Sequence, residues 1–452
     1  MRSLLIVGGG ITGIFSALKL YKQFKNVFIV ERAPWIGGLL ASRRISEVYY
    51  DYGTHVLSNT TSDEVNSILF DEENLGGELS WRKLPYLKVA NYFMGSWNRE
   101  SSFLDVRNLP KKIYDLGIRE FLAGGSPDYS KRNLNIFLQE AFGPTIAEHV
   151  YRPVIGKILG ESLDNVLPEV LLQYSLHRII AFDAEKSREL KKNPTVDTKL
   201  GFHSYKDYPP TKPYLYPVGN EGMGAWVKSL ENQLKLKGVK IIKNSSVTDI
   251  ERTTQGFKVC LSASELPMVT DIIWTIPAAS AARALKIKFN YESPRFRFAT
   301  IVNLGFDKPF LRDNHYLLIW DVSMVSFRIT LYPNLKAVGL GVFNCSVEIL
   351  TDSEITDKAS LLRTVLKEVI TLGLVSARAN LVESEIIDIG PAFPVKTPEF
   401  YALVNQVTAL FENLYPDILF LGKALGQRFL LNDTIVHANE VLDRHFRAQN
   451  GH

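Results

Sequence analysis

Cysteine is nearly absent from this chain. Among 452 residues only Cys260 and Cys345 are cysteine, too few and too far apart for a disulfide framework or a zinc site, so a reducing compartment is expected. No run of about 18 apolar residues occurs, which leaves no candidate for a membrane-spanning helix. An excess of one charge is also missing. The 52 basic and 48 acidic residues leave a net charge of +4, without the dense basic face of a nucleic-acid binder. The short clusters Lys111-Lys112 and Arg188 to Lys192 read as solvated helix faces. Met1 is followed almost at once by an apolar run, with no room for a signal peptide, so the expected location is cytoplasmic. Internal repeats, low-complexity tracts and metal-ligand clusters are not evident. What remains, 46% apolar and 22% charged residues, describes an ordinary globular chain with room for two or three domains.

Glycine is concentrated where it matters. Ser3 to Val7 is an apolar run of strand length, and Ile11 to Phe24 carries apolar residues at helical spacing, including Ile14 and Leu18. Between them stand Gly8, Gly10 and Gly13 in the spacing G-x-G-x-x-G. The first permits a tight turn, the second lets backbone N–H groups approach a phosphate, and the third lets helix and strand pack closely. The helix start, Gly10 to Gly13 with Ile11 and Thr12, adds partial positive charge. Val27 to Val30 is a second strand, and Glu31 at its end can accept hydrogen bonds from ribose hydroxyls. Strand, turn, helix, strand and acid together form a βαβ unit for an adenine dinucleotide.

Later segments name the dinucleotide. "ERAPWIGGLLASRRI" places Arg32, then Gly37, Gly38 and Leu39, then Arg43 and Arg44 after the acid, and "YYDYGTHVLS" follows. This resembles the FAD-binding signature of the amine oxidase superfamily, an acid, a double glycine with a basic residue, then an aspartate-aromatic-glycine segment. "YLYPVGNEGMGAWVKSLENQLKLKGVKIIKNSSVTDIE" resembles the superfamily segment whose final strand holds adenine through the backbone, at Val247 here. "DIIWTIPAAS" is similar to its strand ending in Thr-x-Pro. "DILFLGKALGQRFLLNDTIVHANEVLDR" resembles its last FAD contact, with Gly422 ending a strand and a helix starting at Asn432 to Thr434. The resemblance implies FAD as cofactor, with that helix start aimed at the pyrimidine edge of the flavin, where its dipole would stabilise the reduced form.

Within the superfamily the resemblance is strongest to UDP-galactopyranose mutases, with protoporphyrinogen oxidases second. His55 in "DYGTHVLS" falls on the mutase histidine near flavin N5. "YRPVIGKILG" resembles a mutase and oxidase segment ending in a basic residue, an apolar pair and Gly, and "GPAFPVKTPEF" resembles a superfamily segment near the flavin. Arg328 in "SFRITLYPN" matches the arginine that holds the substrate diphosphate. Arginine suits that task because its planar fork meets phosphate oxygens in pairs. His55, Arg328 and Arg428 are therefore the expected catalytic residues. The resemblance implies redox-neutral chemistry on a nucleotide-activated sugar at N5 of reduced FAD, with an electron donor as partner to reduce it. Two departures stand out. Gly422-Lys423 replaces the mutase Gly-Arg, and Phe429 and Leu430 stand where mutase tyrosines grip the diphosphate. The Tyr-rich loop with Tyr205, Tyr208, Tyr214 and Tyr216 offers faces to stack on a base, with plain packing as the alternative. The rival activities are an FAD-dependent oxidase or dehydrogenase of the amine oxidase or protoporphyrinogen oxidase type, and a flavin-binding protein without catalysis.

The fold class expected is α/β: a discontinuous Rossmann-type FAD-binding domain with a mixed β-sheet substrate domain and a helical insert. Residues 1–75, 201–285 and 401–452 are assigned to the FAD-binding domain, 76–200 to the helical insert and 286–400 to the mixed sheet. Strands are expected in "GFKVCLS" and through 296–345, and a helix over Ser353 to Thr371.

Overall fold

The computed structural model describes residues 2–131, 133–288, 294–336, 341–424, 426, 428 and 430–449. Its first layer is a five-stranded parallel sheet in the order Lys240–Ile242, Asn26–Val30, Ser3–Val7, Asp271–Trp274, Ile418–Phe420. Ser3–Val7 is central, and all five of its residues are buried, as a strand covered on both faces requires. Its alternation divides two cores. Leu4 and Ile6 pack with Phe15, Leu18, Trp226 and Leu442 from the helices Ile11–Leu20, Met223–Leu236 and Leu431–Gln449. Leu5 and Val7 pack on the other side with Ile250, Val259 and Phe411. Those residues come from the hairpin Val247–Thr253 and Gly256–Leu261 and from the helix Pro398–Leu414. The N-terminal strand Ser3–Val7 pairs with Asp271–Trp274, and Asn26–Val30 pairs with Lys240–Ile242, each more than 200 residues away, so the layer is assembled from separate stretches of chain.

The second layer is a seven-stranded mixed sheet in the order Leu381–Pro394, Phe296–Phe306, Phe343–Thr351, Ser326–Leu331, Tyr316–Ile319, Val89–Phe93, Ser96–Asn98. All pairings are antiparallel except Tyr316–Ile319 with Val89–Phe93. One face carries Trp320, Phe327 and Leu350 against Phe121, Leu138, Tyr151 and Ile155 of the helices between 111 and 159. The other carries Val302, Ile329 and Val347 against Val365 and Val369 of the helix Lys358–Thr371. That helix begins five residues later than its periodicity suggests, because the Asp357 side chain accepts a hydrogen bond from Ser360 N (2.8 Å) and caps it there. Among the described residues no helix is long and apolar enough to cross a membrane.

Candidate functional site

The glycine turn between Val7 and Ile11 is shaped by three different constraints. Gly8 has φ +105°, and a Cβ there would lie 2.4 Å from Thr275 Oγ1. A Cβ on Gly13 would lie 2.1 Å from the Gly8 carbonyl oxygen. Around Gly10 there is nothing within 4 Å of that position. Gly10 is also the N-cap of the helix Ile11–Leu20, without a side-chain cap and without an acid in the first turn. The first N–H groups of the helix, with their share of the macrodipole, therefore meet open space at Gly10. A dinucleotide pyrophosphate fits this cradle in charge and in room.

Glu31 does more than was anticipated. Its Oε2 accepts from Gly9 N and its Oε1 from Ala33 N, both at 2.8 Å, so the carboxylate braces the turn. Each oxygen keeps a lone pair for a ribose hydroxyl. The second glycine pair lies directly against the first: Gly37 N donates to Gly9 O (2.7 Å), and a Cβ on Gly38 would stand 3.7 Å from Gly10 Cα. Arg32, Gly38 and Leu39 are exposed beside it. Val247 follows Ser245, whose N–H donates to Glu31 O at 3.0 Å. From the C-terminus, Gly422 (φ +69°) lies against Thr12. Asn432 Nδ2 donates to Ser58 Oγ at 3.0 Å, and buried Thr434 donates its hydroxyl to Leu430 O at 2.7 Å. Residues from both termini and the middle thus meet beyond the carboxyl ends of the parallel strands. Phe429 lies outside the described residues.

His55 sits in a second cluster, at the junction with the mixed sheet. Its Nε2 is 3.1 Å from Tyr52 O. Burial lowers the His55 pKa; Asp51 and Glu348 pull the other way and Arg328 pushes with burial. Arg328 and Glu348 are direct cross-strand partners. The guanidinium donates Nε to Oε1 and Nη2 to Oε2, each at 2.7 Å. Glu348 Oε1 also accepts from Thr54 N at 3.0 Å and Thr54 Oγ1 at 3.3 Å. Burial alone would raise the Glu348 carboxyl and lower the Arg328 guanidinium, but each partner outweighs it, leaving Glu348 below and Arg328 above their ordinary values. Tyr174 and Tyr316 lie within the field of Arg328, and burial pushes Tyr316 up to about 12.

Arg328, expected from the sequence to hold a substrate diphosphate, already has a carboxylate partner. Nε and Nη2 are spent on Glu348, and the pair is formally neutral. Arg428 is exposed and borders two cavities. One, of about 320 Å³, is polar and includes Thr60, Asn432 and His437. The other, of about 200 Å³, is apolar and includes Phe296, Pro391, Phe400 and Val404, with Lys423 at its edge.

The Tyr-rich loop does not form one stacking platform. Tyr205 stacks on Tyr86 (5.0 Å between centroids) and Tyr208 on Phe202 (4.9 Å). Tyr216 is fully buried and donates to Asp51 Oδ2 at 2.7 Å. Tyr214 pairs in the strand Tyr214–Pro217. Asp51 was not anticipated as a hub, yet it also accepts from Ser42 Oγ (2.6 Å) and Met223 N (3.0 Å), tying the flavin-signature segment to a helix start. The basic residue of "YRPVIGKILG" is structural: Lys157 Nζ donates to the carbonyls of Ile319, Asp321 and Ser326 at 2.7 to 2.8 Å.

An NAD(P)-binding Rossmann-like domain family matches residues 6–72. Coproporphyrinogen III oxidase of Staphylococcus aureus (strain NCTC 8325 / PS 47) is 21% identical over 360 residues, covering 70% of this chain and 69% of that protein. The crystal structure of reduced UDP-galactopyranose mutase superposes with a TM-score of 0.79 at 16% identity, covering 99% of this chain and 96% of that one. A protein assigned as a protoporphyrinogen oxidase from Exiguobacterium sp. 255-15 superposes with a TM-score of 0.69 at 16% identity, covering 98% of each chain. The chain thus has a mixed α/β fold with a Rossmann-like unit, shared along nearly its whole length with these two solved structures.

Proposed function

We propose that this chain is an FAD-dependent flavoenzyme that acts on a nucleotide-activated sugar in a redox-neutral, UDP-galactopyranose-mutase-like reaction. In this reading Gly8, Gly10, Ile11, Thr12 and Gly13 hold the pyrophosphate, Glu31 the ribose, and Val247 the adenine. Arg32, Gly38 and Leu39 cover the adjoining part of the cofactor. Gly422, Asn432 and Thr434 close over it from the C-terminal side, and His55 faces the ring. FAD, when bound and reduced, supplies the nucleophilic N5 centre. The chain orients the sugar against it, excludes water and steadies the leaving diphosphate. The observation that carries the reading is the chain of bonds from Thr54 through Glu348 to Arg328. It ties a guanidinium to the segment that bears His55, with Tyr316 and Tyr174 around it. Arg428 is the second candidate for the diphosphate, and an external electron donor completes the system.

The test is direct. Purified protein should be yellow, bleach with dithionite, and then interconvert ring forms of a nucleotide sugar from a panel without consuming reductant. The oxidised protein should be inactive. A second reading, an oxidase of the porphyrinogen type, is favoured by the likeness to coproporphyrinogen III oxidase across 360 residues and by the apolar cavity. Hydrogen peroxide with rising porphyrin fluorescence, and no sugar conversion, would select it.

A further inference from the structure

Glu348 lies in the His55 cluster, between the Gly53–Thr54 turn and Arg328, and was given no role by the sequence. It is 5% exposed, and one carboxylate serves both Arg328 and the backbone and side chain of Thr54. The contact is shaped on the other side as well. Gly53 has φ +96°, and a Cβ there would stand 3.0 Å from the Glu348 carboxyl carbon. Thr54 Oγ1 is in turn hydrogen-bonded to Thr330 Oγ1, on the same strand as Arg328.

A buried ion pair is poor economy for stability, since its desolvation offsets much of its attraction and an apolar pair often serves as well. Retained next to a cofactor-signature segment, it asks for another explanation. We infer that Glu348 is a positioning residue of the flavin site: it locks Arg328 and the Gly53–Thr54 turn onto one carboxylate and cancels the positive charge facing the ring. This rests on the FAD reading above. The other charged or titratable groups around the pair are Asp51 and His55 on the Val48–His55 stretch and Tyr332, with Tyr174 and Tyr316 beside Arg328.

The consequence concerns the reduced flavin, which carries negative charge. An uncompensated cation beside it stabilises the reduced state. In E348Q the guanidinium keeps its charge and loses its counter-ion, so the flavin midpoint potential should rise relative to wild type. In R328Q, measured at pH 8.5 to keep Glu348 ionised, the potential should fall. Potentials are read by dye-coupled reductive titration of FAD-loaded protein, with thermal unfolding alongside. An unchanged potential in whichever variant folds overturns the inference, because a purely structural pair would alter unfolding alone. A shift of the same sign in both variants overturns it too. A colourless wild-type chain that takes up no FAD removes the flavoenzyme reading itself and the inference with it, so the two failures are distinguishable.

Discussion

A Cβ built on Gly422 would stand 2.7 Å from the hydroxyl oxygen of Thr12. Residues 410 positions apart are therefore in backbone-to-side-chain contact, and the exit of the last sheet strand rests on the first turn of the first helix. Gly422 also has φ +69°, where a side chain costs about 1–3 kcal/mol. Gly422→Ala should lower the unfolding midpoint and the ratio of flavin to protein absorbance together. Full flavin loading at an unchanged midpoint would mean that the tail does not close this site.

The three motif glycines should separate by phenotype. Gly13→Ala drives a methyl into the Gly8 carbonyl at 2.1 Å, so the apoprotein itself should be destabilised. Gly10→Ala meets nothing within 4 Å, so the apoprotein should lose only about 1 kcal/mol, the usual cost of alanine at an N-cap. Yet its methyl occupies the approach of the pyrophosphate, and FAD affinity should drop at least tenfold. Apo unfolding curves and flavin titrations check both. Weak folding with normal FAD affinity in Gly10→Ala would reverse the assignment.

Local patterns were readable where local forces decide the structure. Ser3–Val7, the Gly8–Gly13 turn and Ile11–Leu20 lie within one βαβ unit, and their apolar spacing states which faces are buried. The strand Asp271–Trp274 was equally plain, being short and apolar on both faces. The strand Leu381–Pro394 was not anticipated, because "LVESEIIDIGPAFP" carries exposed and half-exposed residues along a sheet edge with several register shifts. Glu348 and Asp51 were invisible for a different reason. Arg328 and Glu348 are 20 residues apart and meet only through antiparallel register. Asp51 gathers Tyr216 and Met223 from beyond residue 200. Arg328 was found by motif, but its carboxylate partner is a property of pairing, which no single stretch encodes.

His315 should shape the acid limb of stability. It is 5% exposed, and its Nδ1 accepts the Lys88 N–H at 3.1 Å. Burial, followed by Arg82 and Lys88, lowers its pKa to about 4. In the unfolded chain it titrates near the ordinary value of about 6.5. Between those values the unfolded chain binds the extra proton, so stability present above about pH 6.5 is lost as pH falls to about 4, by up to ~3 kcal/mol. His315→Gln, which keeps an acceptor and does not titrate, should flatten this limb in urea unfolding measured across pH 4 to 7. Parallel wild-type and variant profiles would show that the loss arises elsewhere.

Lys199 makes the opposite kind of prediction, on the alkaline side. It is fully buried, and Nζ donates to the carbonyls of Phe121, Gly124 and Ala141 at 2.6, 2.9 and 2.6 Å. Two of these carbonyls close the helices Lys111–Ala123 and Leu134–Phe142, where a cation meets the negative end of each dipole. Lys199→Met would leave three buried acceptors without this donor and should destabilise the helical segment by about 3 kcal/mol. Burial lowers the Lys199 pKa to about 8, below the ordinary value of an unfolded lysine. From about pH 8 upward the native protein releases this proton before the unfolded chain does, so the desolvation penalty is relieved and stability rises with pH up to about 10. The difference between wild type and Lys199→Met should therefore widen from pH 8 to pH 10. A gap that narrows over that range would mean the amine stays protonated in the fold and that its charge, more than its three hydrogen bonds, holds the two helix ends together.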